Sequence, residues 1–338
     1  MNLLLKTSLV MRTKRILVKT PLSTIAISIV IIRTTDTATK RGHVLLLAGP
    51  TGVGKTRLSL ALAHHFSAPI VSVDSRQIYR ELPIGTAAPS MEERAAIPHY
   101  MVGNATIHDP YNAARYESEV IPLIQDLLKT HPIVLLVGGS MLYISAITQG
   151  IDNMPDVDGT IREELNERYA AEGLEGMLQE LALVDPDYYH IVDRCNPKRV
   201  IHGLEVFRTT GQPLSSFRTN TCKERPFTII PFELTSFREE LYNRINTRTE
   251  QMIAQGWLDE ARAVYPHRAL NALNTIGYKE LFCYFDGAIS LDEAIHKIQR
   301  NTRIYARKQM TWFKKQHDYH RVDASISSLA DILSLLPF

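Results

Sequence analysis

The stretch His43-Val-Leu-Leu-Leu-Ala48-Gly49-Pro-Thr-Gly-Val-Gly54-Lys55-Thr56 decides how this chain is read. Its first six residues form a short apolar run, the pattern of a strand buried on both faces. Its last eight match G-x-x-x-x-G-K-[ST]. Leu58, Leu60, Ala61, Leu62 and Ala63 then continue as a helix. Strand, glycine-rich loop and helix in succession give the motif its mechanism. The loop turns successive backbone N–H groups toward phosphate oxygens, and the helix N-terminus adds a favourable dipole. The expected phosphate-binding set is Gly49, Thr51, Gly52, Val53, Gly54, Lys55 and Thr56. Lys55 supplies a point charge and the Thr56 hydroxyl a ligand for Mg²⁺. A glycine-rich turn with a solvated lysine is the bland alternative, and the correct flanks on both sides argue against it.

Working outward, the 338 residues suffice for about two domains with a real core. Hydrophobic residues at 45% and charged residues at 22% exclude a mostly disordered chain, and 17 Gly with 17 Pro exclude a collagen-like one. The 3 cysteines (Cys195, Cys222, Cys283) are too few and too scattered for a disulfide framework or an all-cysteine zinc site, and fit a reducing compartment. The net charge of +2 hides two basic clusters. Residues 1–42 hold eight Lys/Arg against Asp36, and residues 297–321 hold eight against Asp318. Such clusters are the footprint of a phosphate-rich partner. The apolar run Ile25–Ile32 is too short to span a bilayer, and no small-residue cleavage site follows it. Residues 1–42 fit a transit peptide only moderately. They are expected to be a disordered tail or a mis-assigned start, outside the fold.

Two further strands are expected, Pro69–Val73 and Pro132–Val137. The first runs into Asp74-Ser75, the second into Gly138-Gly139-Ser140, with no acid. An ATP-hydrolysing fold would need a carboxylate after a later strand to hold Mg²⁺. Asp74 is thus expected to stand alone at the C-terminal edge of the sheet, as a general base or an indirect metal ligand. A helix cap is the competing role for Asp74, as it is for Ser140. The fold expected is α/β: a P-loop NTPase-like core with a parallel sheet and an inserted all-helical domain. Its parts are residues 43–152, a helix-rich insertion over 153–224 without strand signals, and a second core part over 225–338 with C-terminal helices. Strand character returns at Phe227–Leu234, where Pro231 points to an edge or a short strand.

The segment from Asp74 to Pro89 (DSRQIYRELPIGTAAP) carries a resemblance. Together with Gly49–Thr56, Gly138–Tyr143, Asn196–Ser215, Ile276–Glu280 and Asn301–Phe313, it resembles the ordered motifs of the tRNA dimethylallyltransferase family. The likeness runs from about His43 to Asp323. It implies transfer of a dimethylallyl group from dimethylallyl diphosphate to the exocyclic amine of the adenosine 3′ to the anticodon. Under that resemblance the loop holds diphosphate rather than ATP, with Mg²⁺ on Thr56. Asp74 takes the amine proton, and Ser140, where the family usually has Thr, contacts the oxygen bridging allyl group and diphosphate. Arg244 and Arg248 lie four residues apart on one helical face; at least one matches a diphosphate-holding element, the alternative being pairing with Glu239 and Glu240.

The implied partner is the tRNA anticodon stem-loop. Loops of RNA are read by splayed bases, stacking and phosphate contacts, and a stacked adenine must be extracted. The basic, aromatic segment 301–315 suits this, with Arg303, Arg307, Lys308, Gln309 and Trp312. Asp74, Ser75, Arg76 and Gln77 contact RNA in the resemblance, as do Gly277, Tyr278 and Lys279 in a loop entering a helix over 280–284. Arg162, Lys198 and Arg199 would do so from the insertion. Lys198 stands for a usual Gln, His202-Gly203 for Arg-Ala, and Ala88 for Lys, which bears on base contacts and not on the reaction class. No cysteine follows Cys283, whereas eukaryotic members often carry a C-terminal zinc finger, so the resemblance is to the bacterial type. A cytoplasmic monomer with no membrane contact is expected. Rival readings are a P-loop small-molecule kinase, an adenylate isopentenyltransferase acting on free nucleotide, and a non-catalytic nucleotide-binding module.

Overall fold

The computed structural model describes residues 12–19, 24–31, 42–157, 159–219, 221–324 and 329–338. The chain divides into two compact units, 1–41 and 42–338. In the first, β1 (Arg12–Lys19) and β2 (Thr24–Ile31) form an antiparallel pair, with Arg12 opposite Ile31 and Lys19 opposite Thr24. This pair lies within the segment expected to be a disordered tail or a mis-assigned start. Their runs of Ile, Val and Thr are the β-branched residues that favour an extended chain.

In the second unit, six strands form one wholly parallel sheet. They are β3 (His43–Ala48), β4 (Ile70–Val73), β5 (His99–Tyr100), β6 (Ile133–Gly138), β7 (Thr228–Thr235) and β8 (His320–Asp323), in the order β5-β4-β6-β3-β7-β8. Alternate residues of β3 and β6 enter different clusters. Val44, Leu46, Val134 and Leu136 pack with Tyr116, Val120 and Ile124 of α3 (Ala113–Leu127) and with Ile144 and Ile147 of α4 (Met141–Thr148). Leu45, Leu47, Ile133 and Leu135 pack on the other side with Leu62 and Ala63 of α1 (Lys55–Phe66). Both faces are therefore covered, which is why these strands read as continuous apolar runs. A short α2 (Met91–Ala96) precedes β5.

Between β6 and β7, helices α5 (Gly159–Glu172), α6 (Glu175–Val184), α7 (Pro186–Ile191), α8 (Pro197–Thr210) and α9 (Leu214–Phe217) surround a separate apolar cluster. Leu165, Met177, Leu181, Val200 and Leu204 are fully buried in it. After β7 come α10 (Arg238–Ala254), α11 (Trp257–Val264), α12 (Tyr278–Phe285), α13 (Leu291–Phe313) and, after β8, α14 (Leu329–Ser334). β7 is not the edge strand that Pro231 suggested. It spans 8 residues between β3 and β8. β8 pairs only with Phe232–Thr235, so Pro231 lies where the outer side of β7 is still open and a missing N–H is tolerated.

Candidate active site

Ala48 of β3 and Val73 of β4 both pair with Gly138 of β6. The residues that follow, Gly49, Asp74 and Gly139-Ser140, therefore leave the sheet at one level. That level is the C-terminal edge, where parallel α/β sheets place ligands. Register thus brings to one level three segments about 65 and 25 residues apart in sequence.

The glycine-rich loop runs from Gly49 to α1. Gly54 has φ 107°, a conformation L side chains rarely adopt, and it turns the chain directly into the helix. Lys55 Nζ donates to the carbonyls of Gly49 and Pro50, each at 2.9 Å. Burial lowers its pKa to about 8; the negative charge of Asp74 opposes that shift, and the Arg248 charge adds to it. Arg248, on α10, is itself lowered by desolvation, with Asp74 opposing. The structure separates the two α10 arginines. Arg248 lines the cavity beside Thr51 and Asp74. Arg244 Nη1 donates to the Val53 carbonyl at 3.3 Å and pairs with Glu240 at 3.4 Å, bracing the loop from behind.

Asp74 Oδ1 accepts from the N–H groups of Arg76 (2.9 Å) and Gln77 (3.4 Å). It caps a turn rather than a helix, and its second oxygen has no hydrogen-bond partner among the described residues. Ser140 occupies the N-cap position of α4 but makes no side-chain cap. Its Oγ instead accepts from the Ser75 N–H at 2.9 Å and lies 3.3 Å from Ser75 Oγ. The helix-cap reading of Ser140 is corrected on that ground: the hydroxyl is drawn across to β4's exit. Tyr305 of α13 reaches the same point; burial pushes its phenol up to about 12, and a hydrogen bond with Ser140 opposes the shift. The place of Tyr305 is not legible in the sequence, because nothing local says which way that helical face turns.

These residues wall a cavity of about 570 Å³. Its polar lining includes Thr51, Asp74, Ser140, Arg248 and Lys308, and its apolar lining Ile245, Met252, Trp257, Ile276 and Ile304. A smaller cavity of about 310 Å³ shares Ser75, Arg76, Ser140 and Tyr305 with it and adds Tyr79, Tyr111 and Tyr143. Glu280, 8% exposed, accepts from the Gly277 N–H and from Asn301 Nδ2 and so fixes α12 against α13. The expectation of a lone carboxylate at the sheet edge is also refined: Glu233 of β7 pairs with Ala48, but it is buried and bonded to Arg321 at 3.0 Å.

The expected RNA-contacting residues divide. Ser75 and Arg76 line both cavities, and Arg76 donates to the carbonyls of Asn271, Ala272 and Asn274. Lys279 and Lys308 are exposed at the larger cavity, and Lys198, Arg199 and Arg307 are exposed elsewhere. Arg162 pairs with the buried Glu205 at 2.7 Å. Arg303 donates to Asn246 Oδ1 at 2.6 Å. Trp312 is half-buried, edge-on to Phe313. Three residues turn inward against expectation. The Gln77 amide is spent on Ser72 and on the carbonyls of Thr86 and Ala87. Tyr278 is fully buried with its hydroxyl on Glu260, and α12 already begins there rather than at Glu280. Gln309 is 2% exposed. In each, a polar side chain satisfies buried backbone or carboxylate groups that sequence alone does not locate.

The family model described as IPP transferase matches residues 77–316. The chain is 58% identical over 274 residues to tRNA dimethylallyltransferase 2 of Porphyromonas gingivalis, covering 81% of this chain and 91% of that protein. It is 55% identical over 275 residues to tRNA dimethylallyltransferase 1 of Bacteroides fragilis, covering 81% and 91%. Among solved structures, it is similar to the tRNA isopentenylpyrophosphate transferase of Bacillus halodurans, with TM-score 0.64, 31% identity and coverage of 87% and 94%. A eukaryotic dimethylallyltransferase acting on tRNA superposes with TM-score 0.72 at 25% identity, covering 88% of this chain and 81% of that one.

Proposed function

This chain belongs to the IPP transferase family, and from that premise we propose that it transfers a dimethylallyl group from dimethylallyl diphosphate to the exocyclic amine of the adenosine 3′ to the anticodon in tRNA. The observation that carries the reading is the meeting of phosphate loop, Asp74 and Ser140 at one sheet level around one cavity. The C1–O bond to the diphosphate breaks, and its electron pair leaves with the diphosphate. The N6–C1 bond forms, and the N6 proton passes to the Asp74 carboxylate.

The loop N–H groups, Lys55 and Arg248 hold the diphosphate, and their fixed charge matches the negative charge that grows on it as it departs. Ser140 presents its hydroxyl to the bridging oxygen, held in place by Ser75. Thr56 fits Mg²⁺: its side chain is exposed on the first turn of α1 and has no hydrogen-bond partner among the described residues. Mg²⁺ is commonly held by one or two protein oxygens and the substrate's phosphates, so no three-ligand cluster is required. When bound, the ion neutralises charge on the diphosphate. The RNA rests on the exposed Lys198, Arg199, Lys279, Arg307 and Lys308, with Ser75 and Arg76 beside the extracted base.

Asp74→Asn keeps the acceptor oxygen that caps the turn and removes the proton acceptor. Diphosphate affinity should stay within about twofold while transfer falls by roughly 10²–10⁴. Equilibrium dialysis with labelled diphosphate and single-turnover transfer measure the two separately. Transfer at the wild-type rate would remove Asp74 from the reaction.

A further inference from the structure

Gln309 belongs to the helix expected to meet RNA, yet its side chain faces away from solvent. It lies on α13 between exposed Lys308 and half-buried Met310, with fully buried Ala306 and Phe313 on the same inner face. Its Oε1 accepts from the Thr51 N–H at 3.0 Å. Its Nε2 donates to the Gly139 carbonyl at 2.7 Å. One planar amide therefore joins the end of β3 to the end of β6, with both of its polar ends occupied. The neighbouring backbone is shaped around it. A Cβ on Gly139 would lie 2.6 Å from Gln309 Nε2 and 2.7 Å from the Gly49 carbonyl. Sheet register sets the level of the two segments, but register ends at Ala48 and Gly138. Beyond it, this amide is the tie from α13 to both.

We propose that Gln309 is a positioning residue for the transfer reaction: through Thr51 it sets the phosphate loop, and through Gly139 it sets the turn that presents Ser140. The inference rests on the reading that the loop holds diphosphate. Misplacement of binding groups by a fraction of an ångström is costly in preorganised sites. Gln309→Met has similar volume and cannot form either bond. Gln309→Asn keeps the amide but falls one methylene short.

The test titrates inorganic diphosphate and unmodified tRNA separately onto each variant, with melting temperatures to establish folding, and then measures steady-state transfer. For Gln309→Met, the diphosphate Kd and the KM for dimethylallyl diphosphate should each rise roughly tenfold, with kcat reduced and tRNA affinity within about twofold of wild type. Gln309→Asn should shift the same quantities less, which keeps the test decisive if Gln309→Met fails to fold. Weakened tRNA binding with unchanged diphosphate affinity would overturn the inference and return Gln309 to the RNA surface. Unchanged affinity for both ligands would overturn it as well. If the wild-type protein did not bind diphosphate at all, the functional reading beneath it would fall too.

Discussion

Lys55 is half-buried, its ammonium desolvated beside one negative and one positive group, and that setting makes its charge conditional. A pKa near 8 in the free protein means that the cation is present below that pH and lost above it. Bound diphosphate favours the cation and raises the pKa, so binding takes up a proton once the free side chain is neutral. Diphosphate affinity should therefore be flat from about pH 7 to 8 and then fall by up to about tenfold per pH unit until the bound-state pKa is passed. Calorimetry in buffers of different ionisation enthalpy would register the uptake. Affinity unchanged up to about pH 10 would contradict this role for Lys55. At this scale the positions legible in the chain are those fixed by immediate neighbours. Lys55 sits in its loop motif and Asp74 ends a strand. Gln77, Tyr278 and Gln309 were placed on the RNA side because their inward partners, such as Thr86, Glu260 and Thr51, are contributed by distant segments.

Between elements, the buried ion pairs show how the helical insertion is attached. Glu117 of α3 accepts from Arg225 Nη2 at 2.8 Å, from Lys223 Nζ at 3.3 Å and from the Ile151 N–H at 3.0 Å. Both crossings into and out of α5–α9 are thus fastened to one carboxylate. Arg225 also donates to the carbonyls of Ala146 and Ile147 at the end of α4. Burial pushes the Glu117 carboxyl up, but the bonds from Arg225 and Ile151 and the Arg225 and Lys223 charges outweigh it and hold the pKa below the ordinary value. Arg225→Ala leaves that carboxylate and two carbonyls underpaired and should cost about 3 kcal/mol at neutral pH. A carboxyl with a lowered folded-state pKa contributes stability above its unfolded pKa and loses it as pH falls. The gap in melting temperature between variant and wild type should therefore narrow below about pH 4.5. A gap that persists unchanged into acid would mean the loss is one of packing. The strands were readable because a strand buried on both faces leaves an unbroken apolar run. The rank of β7 in the sheet was not, since Pro231 reports only local backbone limits and says nothing of where β8 starts to pair.

For the whole molecule, the sheet-edge site and the exposed cationic surface come from different kinds of order. The first depends on the parallel order β4-β6-β3, which brings three strand ends to one level. The second depends on exposed cations spread over α8, α12 and α13, elements separated by most of the chain's C-terminal half. Among the described residues, no helix is long and apolar enough to cross a membrane. The charge clustering over 297–321 was legible as composition; which of its cations stay free was not, because Arg303 and Arg321 find partners on α10 and β7. The two meet in one reaction, alkylation of an adenine within tRNA. Its most direct test is one reaction containing the purified protein, Mg²⁺, labelled dimethylallyl diphosphate, unmodified tRNA with an adenosine 3′ to the anticodon, AMP and ATP. The account predicts label in tRNA, release of diphosphate, and neither label in AMP nor consumption of ATP. Label in AMP alone, or ATP consumed with tRNA unlabelled, would contradict it.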